Sequence, residues 1–162
     1  MSDEIRIRRL APSDYPPVIV VLNDWWGGRL MADMLPKLFF VHFQETSFAA
    51  EQNGVLAGFL VGFFSQTYPD QSYIHFVGVN PAFREQGVGR RLYEHFFASS
   101  LKGGRKVVRC VTSPVNRTSL AFHMQMGFVM EPSDTLVDGI PVHPDYDGSG
   151  GDRILLVKHL GD

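Results

Sequence analysis

The sequence has very little cysteine and no long apolar run. Cys110 is the only cysteine among 162 residues, so no disulfide can form within the chain, as expected for a reducing compartment. No stretch approaches the roughly 18 apolar residues that a membrane-spanning helix needs. The start of the chain, MSDEIRIRRL, lacks the apolar core of a signal peptide. Together these absences predict a cytoplasmic protein that does not cross a membrane.

An excess of charge of either sign is also missing. The chain has 15 basic and 17 acidic residues, a formal net charge of −2, and 44% hydrophobic residues. Proteins that bind nucleic acid usually carry a basic excess or a basic stripe, so no nucleic-acid partner is expected. The composition is that of an ordinary soluble protein, and the length suits one domain over residues 1–162.

Several common site motifs do not occur. No two histidines or cysteines have the spacing of a zinc site, so we expect no metal. The chain has no P-loop motif, G-x-x-x-x-G-K-[ST]. The segment DGSGG at 147–151 resembles the nucleophile elbow of hydrolases, G-x-S-x-G, only in its composition.

Hydrophobic periodicity and turn residues predict alternating strands and helices. The predicted strands are residues 5–10, 46–52, 55–67, 71–80, 105–113, a segment beginning in GFVMEP, and 152–160. The predicted helices run from Ser13 to Gly27, over 29–43 with a bend or break near Pro36, over 87–102, and over 116–128. Residues 133–151 are rich in Gly, Pro, Asp and Ser, and are expected to form a loop.

The element order is therefore β-α-α-β-β-β-α-β-α-β-β. It predicts an α/β (α+β) fold with a mixed, mostly antiparallel sheet of about seven strands and helices on both faces. Consecutive strands in the first half favour antiparallel pairing. The strand–helix–strand unit 71–113 is expected to be a right-handed parallel crossover.

The segment NPAFREQGVGRRLYEHFF (80–97) carries two glycines where a helix begins. Gly87 and Gly89 would bring helix N–H groups close to an anion, and Arg84, Arg90 and Arg91 add positive charge. Phosphate oxygens suit such a site, but the same glycines also suit a tight strand-to-helix turn, and their spacing alone does not separate the two. The glycines do not continue as G-x-G-x-x-G, which weighs against a dinucleotide-binding turn.

Two motifs in this order resemble those of the GCN5-related N-acetyltransferase (GNAT) superfamily. Arg84-x-x-Gly87-x-Gly89 matches the R/Q-x-x-G-x-G/A signature and follows VGVNPAF, which is similar to the V-x-P segment of the fourth strand. NRTSLAFHMQMGF begins 27 residues after Gly89 and is similar to the N-x-x-A-x-x-L/F-Y-x-x-x-G-F motif. The order of elements is also that of the superfamily, so the resemblance covers nearly the whole chain.

The resemblance implies that acetyl-CoA is bound where the fourth and fifth strands splay apart. Backbone groups of Val77 and Val79 would pair with the pantetheine arm, and Asn116 would contact it. Arg84 belongs to the same signature. The N–H groups of the loop and the first helical turn would hold the pyrophosphate, and these belong to Gln86, Gly87, Val88, Gly89, Arg90 and Arg91.

The resemblance also implies transfer of the acetyl group to a primary amine by direct attack in a ternary complex. The superfamily often uses a strand-four carboxylate as base and a tyrosine as acid, and here those positions are His75 and His123. We therefore interpret His75 as the base, acting directly or through water, and His123 as the acid for the thiolate or as a hydrogen-bond donor. Period-two alternation would put His75 on one strand face with Tyr73, Val77 and Val79. Each histidine alone is also compatible with a structural role.

By the same resemblance, the acceptor pocket lies between the first two helices and the last inter-strand loop. Trp25, Trp26 and Tyr146 are the predicted walls, with burial of a tryptophan in the core as the alternative. A small-molecule amine is the expected substrate and a protein amine is the second choice. The length of the 133–151 loop is compatible with a homodimer contact. The alternative function is a non-catalytic acyl-CoA-binding or sensor module.

Overall fold

A computed structural model describes residues 4–161 as a twisted sheet covered by helices on both faces. Seven strands form the sheet in the order β1-β2-β3-β4-β5-β9-β6, and β7 and β8 form a separate hairpin. All pairs are antiparallel except β4 and β5, which are parallel. The strands are β1 (Arg6–Arg9), β2 (Phe48–Gln52), β3 (Val55–Phe64), β4 (Gln71–Val79), β5 (Val107–Thr112), β6 (Val129–Met130), β7 (Leu136–Val137), β8 (Ile140–Pro141) and β9 (Ile154–His159). The predicted fold class is confirmed.

The helices divide the apolar residues into two cores. They are α1 (Tyr15–Trp25), α2 (Leu38–His42), α3 (Val88–Lys102) and α4 (Arg117–Gln125). One core contains Leu92 and Phe96 of α3 together with Phe128. The other contains Leu22 of α1 and Phe40 of α2, packed with Phe59 of β3. In residues 4–161 no helix is long and apolar enough to cross a bilayer.

The region predicted as a helix over 29–43 is only partly helical. A single 3-10 turn covers Ala32–Met34, and the α-helix α2 begins only at Leu38. The interruption falls at Pro36, as predicted, because proline lacks an N–H and disfavours helical geometry in the residue before it. Asn23 holds the preceding segment, since its Oδ1 accepts hydrogen bonds from the N–H groups of Met31 and Ala32 at 2.7 and 3.0 Å.

The region predicted as a loop over 133–151 contains ordered strands. Asp138 and Gly139 are the two residues between β7 and β8, and an Asp-Gly pair between short apolar runs is a hairpin signal. Further along, the backbones of His143 and Arg153 pair with each other across the next turn. The loop prediction was wrong for these residues because the overall polarity of the segment concealed the hairpin.

A bulge in β4 changes which side chains share a face. Val61 of β3 pairs with Phe76 and the next residue, Gly62, pairs with Ile74, so His75 is the extra residue. A bulge interrupts period-two alternation. As a result, Ile74, Val77 and Val79 pack with the α3 core, whereas Phe76 packs with the core under α1 and α2. The prediction that His75 shares a face with Val77 and Val79 was therefore wrong.

Candidate functional site

The parallel strands β4 and β5 pair over only three residues. Gln71, Ser72 and Tyr73 pair with Val107, Val108 and Arg109, and the ladder ends there. Past this point β4 stays paired with β3, and β5 stays paired with β9. The two strands therefore separate into a gap that begins at Tyr73 and Arg109.

The edge of β4 that faces this gap carries the backbone groups of Val77 and Val79. The N–H of Asn80 donates to the carbonyl of Ala57 at 2.8 Å, so Asn80 faces the strand β3. Backbone groups alternate from one edge of a strand to the other, so Gly78 also faces β3. Val77 and Val79 point the opposite way, and their N–H and C=O groups line the gap.

The N-terminus of α3 lies beside the end of β4. Gly87 precedes the helix with φ +77°, a left-handed conformation that glycine adopts without strain. Gly89 lies against Val79 and Phe122, and a Cβ at residue 89 would be 3.4 Å from the Phe122 ring. The N–H groups of the first helical turn have no acceptor within the helix. They are therefore available to an anion at the mouth of the gap.

Two of the arginines around this helix start make internal hydrogen bonds. The guanidinium of Arg84 donates to the carbonyl of Trp25 at 2.7 Å, which ties the loop to the end of α1. Arg91 donates to the carbonyl of Ile5 at 2.6 Å. Gln86 and Arg90 are exposed. The geometry therefore favours a positioning role for Arg84 and Arg91, whereas Arg90 is exposed beside the unpartnered N–H groups.

Asn116 caps the helix α4. Its Oδ1 accepts a hydrogen bond from the N–H of Ser119 at 3.1 Å. The amide nitrogen of the same side chain makes no hydrogen bond to any residue in 4–161. Asn116 can therefore cap α4 and still donate to a ligand.

His75 is held by the segment between α1 and α2. Its Nε2–H donates to the carbonyl of Met34 at 2.7 Å. Its ring stacks on Phe39, with the ring centroids 4.3 Å apart and the planes 14° from parallel. Because a carbonyl can only accept, the proton of the neutral ring is on Nε2, and Nδ1 keeps its lone pair. This arrangement leaves Nδ1 able to accept a proton.

His123 is buried, with 6% of its surface exposed, and uses both ring nitrogens. Nδ1–H donates to the carbonyl of Ser119 at 2.7 Å, and Nε2 accepts from the Tyr93 hydroxyl at 2.7 Å. Burial lowers the pKa of His123, with the Ser119 carbonyl acting in the opposite direction. Burial also raises the pKa of Tyr93. The ring is therefore neutral with its one N–H already donated, which argues against the predicted role as a thiolate acid.

Tyr93 is a partner that the sequence did not reveal. It lies in α3 at a position that periodicity assigns to the core, so its hydroxyl gave no separate signal. Arg109 was also missed, although an arginine inside the apolar strand VVRCVT is itself a signal. Its guanidinium donates to Gln71 Oε1 at 2.9 Å and forms an ion pair with Glu131.

The three predicted pocket walls have different surroundings. Trp25 is 8% exposed and packs against Phe59 in the core, and Trp26 packs against Phe76 with ring centroids 5.0 Å apart. Tyr146 lines a cavity of about 370 Å³, together with Tyr73 and Arg109. The prediction of a wall at Trp25 is corrected, because the apolar ring is more stable in the core than at a solvent-facing site.

A second depression of about 380 Å³ lies elsewhere on the surface. It is lined by residues 41–46 with Phe63 and Phe64, and includes no residue of β4 or β5. Within residues 4–161, no three His, Cys, Asp or Glu side chains are grouped so that they could hold a metal ion.

A gap between parallel strands with a helix N-terminus at its mouth does not by itself establish an activity, but the sequence comparison establishes the family. The family described as "Acetyltransferase (GNAT) family" matches residues 7–128. This chain therefore belongs to the GNAT acetyltransferase family. No curated protein sequence matches it significantly.

Solved structures share the fold at low sequence identity. Ard1 from Thermoplasma volcanium superposes with a TM-score of 0.75 at 20% identity, covering 98% of this chain and 99% of that one. The ribosomal-protein-S18-alanine N-acetyltransferase of Escherichia coli gives 0.67 at 20% identity, covering 98% and 96%. The yncA protein of Salmonella typhimurium, solved with its cofactor acetyl-CoA, gives 0.69 at 18% identity, covering 98% and 95%. At these identities the likeness establishes the fold.

Proposed function

We propose that this acetyltransferase moves an acetyl group from acetyl-CoA to a primary amine of a small molecule. The observation that carries the proposal is the open edge of β4, where Val77 and Val79 present unpaired backbone groups to the gap beside the N-terminus of α3. An extended amide chain ending in a pyrophosphate matches both features, because amides can pair with a strand edge and phosphates with helix N–H groups. The family and the fold agree with this chemistry.

Acetyl-CoA supplies an activated thioester carbonyl. The residues that would hold it are Val77 and Val79 by their backbone, Asn116 by its free amide nitrogen, and Gln86 to Arg90 by their N–H groups. Gly87 and Gly89 keep side chains away from the phosphates. Arg84 holds the loop in place through the Trp25 carbonyl.

The amine must lose a proton before it can attack the thioester. In the proposed reaction Nδ1 of His75 accepts this proton, directly or through one water, as the new N–C bond forms and the C–S bond breaks. The Met34 carbonyl fixes the tautomer that keeps Nδ1 basic. The thiolate then takes its proton from solvent, since the N–H of His123 is held by Ser119.

Amide hydrogen exchange tests the proposed cofactor site. In the free protein the N–H groups of Val77 and Val79 should exchange quickly, and Gly78, bonded to β3, should be protected. Coenzyme A should slow exchange at Val77 and Val79 at least tenfold and leave Gly78 unchanged. Slowing at all three residues alike, or at none, would contradict this site.

Turnover tests the activity itself. Thiol release from acetyl-CoA is followed across a panel of amines, and each product is checked by mass spectrometry for one added acetyl group. Amine-dependent release supports the proposal. Binding of coenzyme A without turnover on any amine would instead favour a non-catalytic acyl-CoA-binding module.

A further inference from the structure

The cavity of about 370 Å³ opens where β4 and β5 separate. We define the Tyr73 cavity by six lining residues: Tyr68, Gln71, Tyr73, Arg109, Glu131 and Tyr146. Tyr73 and Arg109 are the last paired residues of the two strands, so the cavity adjoins the start of the gap. His75 follows two residues after Tyr73 and contacts Met34, which precedes α2, and Phe39 of α2.

Three tyrosines line this cavity. Tyr68 and Tyr146 are 56% and 50% exposed, although large aromatic rings gain most from burial. Tyr73 is more enclosed and stacks on Phe63, with the ring centroids 5.3 Å apart. Exposed rings that converge on one cavity favour a ligand with a flat apolar body that would cover them.

Tyr146 is held in position by the turn that carries it. The backbones of His143 and Arg153 bond to each other at 2.8 and 3.1 Å at the base of the turn. Asp147 forms an ion pair with Arg153 at 2.8 Å. Asp145 Oδ1 accepts from the N–H of Gly150, also at 2.8 Å. These contacts order the backbone of the turn that places Tyr146 at the cavity, although the residue lies in a connection between strands.

The polar groups of the cavity carry no net charge. The Arg109 guanidinium is paired with the Glu131 carboxylate and donates to Gln71, so its charge is compensated within the cavity. A strongly anionic or polycationic ligand would gain little electrostatic binding free energy from an arginine and a glutamate that already neutralise each other. The volume is near the lower end of the roughly 300–1,000 Å³ usual for small-molecule sites.

We infer that the acceptor is a small primary amine attached by a short linker to an aromatic ring, and that the Tyr73 cavity binds the ring. This inference rests on the proposed acetyl transfer. The ring would lie between Tyr146 and Tyr68, and the amine would extend along β4 towards His75 and the gap. Tyr146 is then a specificity-determining residue for the acceptor, with no part in binding the cofactor.

The test compares amines that differ in one property. The probes are tyramine, propylamine, spermidine and tyrosine, which vary the ring, the charge and the carboxylate. We expect the highest kcat/KM for tyramine, by at least tenfold over propylamine. Tyr146→Ala should raise KM for tyramine about 3- to 10-fold, which corresponds to the free energy of one lost aromatic contact. KM for acetyl-CoA should stay unchanged.

Leu136→Ala is the matched control. Leu136 is also an exposed apolar residue of the segment 133–151, but it lies in the β7–β8 hairpin and does not line the cavity. This variant should retain wild-type kinetics with tyramine. Equal effects of the Tyr146 and Leu136 changes, or a propylamine rate matching that of tyramine, would overturn the inference.

A separate readout distinguishes this inference from the proposed function. Calorimetry measures binding of tyramine to the protein saturated with coenzyme A, where no acetyl transfer can occur. Binding that Tyr146→Ala weakens supports the cavity assignment even if no amine is acetylated. Acetylation of other amines without any tyramine binding would overturn the inference and leave the proposed function intact.

Discussion

Residue identity alone does not decide what His75 and His123 can do. Both occupy positions where the superfamily often has a catalytic side chain, yet their surroundings differ. His75 donates from Nε2 to a backbone carbonyl and keeps Nδ1 as an acceptor. His123 is enclosed between the Ser119 carbonyl and the Tyr93 hydroxyl, so both nitrogens are satisfied. The imidazole of His75 is therefore a candidate base, whereas the imidazole of His123 is a structural link between α3 and α4.

Replacing His123 should affect stability more than catalysis. In His123→Phe the buried Tyr93 hydroxyl loses its partner, and an unsatisfied buried polar group costs about 1–3 kcal/mol. We expect urea unfolding to show a loss of that size, with kcat at saturating substrates within about threefold of wild type. A kcat loss of 100-fold in a fully folded variant would restore the acid role.

A double variant separates the contribution of the hydrogen bond to stability from the contribution of packing. Tyr93→Phe removes the other partner, and Tyr93→Phe/His123→Phe removes both. The double variant should lose less stability than the sum of the two single losses, because no polar group is then left unpaired. Strict additivity would show that the two side chains are not coupled.

Replacing His75 should affect catalysis more than stability. His75→Gln keeps a polar side chain near Met34 but removes the basic nitrogen, so kcat should fall about 100-fold or more. KM for acetyl-CoA should change less than twofold, since the cofactor is assigned to other residues. Phe39→Leu is the control, because it removes the ring stack and leaves the imidazole in place. If kcat falls by the same factor in both variants, His75 contributes only through packing.

At the scale of elements, the junction of β4 with α3 carries the proposed cofactor site. The strand contributes an unpaired edge and the helix contributes its first N–H groups. The bulge at His75 is part of this junction, because it turns His75 towards α1 and α2 while Val77 and Val79 pack towards α3. One extra residue in one strand therefore separates the proposed chemistry from the proposed cofactor contacts.

Two glycines at opposite ends of α3 provide a controlled test of this junction. Gly87 and Gly104 have φ of +77° and +78°, and a Cβ at either would meet no atom within 4 Å. Gly87→Ala and Gly104→Ala should each cost about 1–2 kcal/mol of backbone strain, measured by urea unfolding. Only Gly87→Ala should also weaken coenzyme A binding, by at least fivefold in calorimetry. Equal weakening by both changes would indicate a general effect of destabilisation.

At the scale of the whole molecule, two histidines, the buried His123 and the exposed His95, make stability depend on pH. Burial lowers the pKa of His123, and burial followed by the charge of Arg91 lowers the pKa of His95. The folded state therefore binds these protons less tightly than the unfolded chain, where the pKa of histidine is about 6.5. The stability contributed by the neutral rings is complete above that pH and is lost as the pH falls towards the folded pKa values.

Urea unfolding at pH 7.5 and at pH 5.5 measures this dependence. Wild type should lose stability at the lower pH, by at most about 1.4 kcal/mol for each pH unit from the buried His123 and by much less from the exposed His95, which water screens. The Tyr93→Phe/His123→Phe variant keeps His95 but lacks His123, so it should lose clearly less. An identical pH dependence in both proteins would show that His123 does not contribute.

The fold could be derived from the sequence because its signals are local. Strand alternation, the break at Pro36 and the glycines around α3 depend on residues close in the chain, and all reappear in the structure. The Asp138-Gly139 pair is also a local signal for a hairpin, but the polarity of the surrounding segment concealed it. The glycine and asparagine motifs are also local signals, because they mark the starts of α3 and α4, and the proposed cofactor site rests on them.

The environments of side chains depended on contacts that no local pattern contains. Local patterns along the chain were enough to predict the family, the order of the main elements and the start of α3. Contacts between distant elements were needed to show that His123 is enclosed by Tyr93, that Trp25 belongs to the core, and that Tyr73, Arg109 and Tyr146 line one cavity. The physical reason is that burial and hydrogen bonding are set by residues distant in the chain, and one bulged residue is enough to change which face of a strand a side chain occupies.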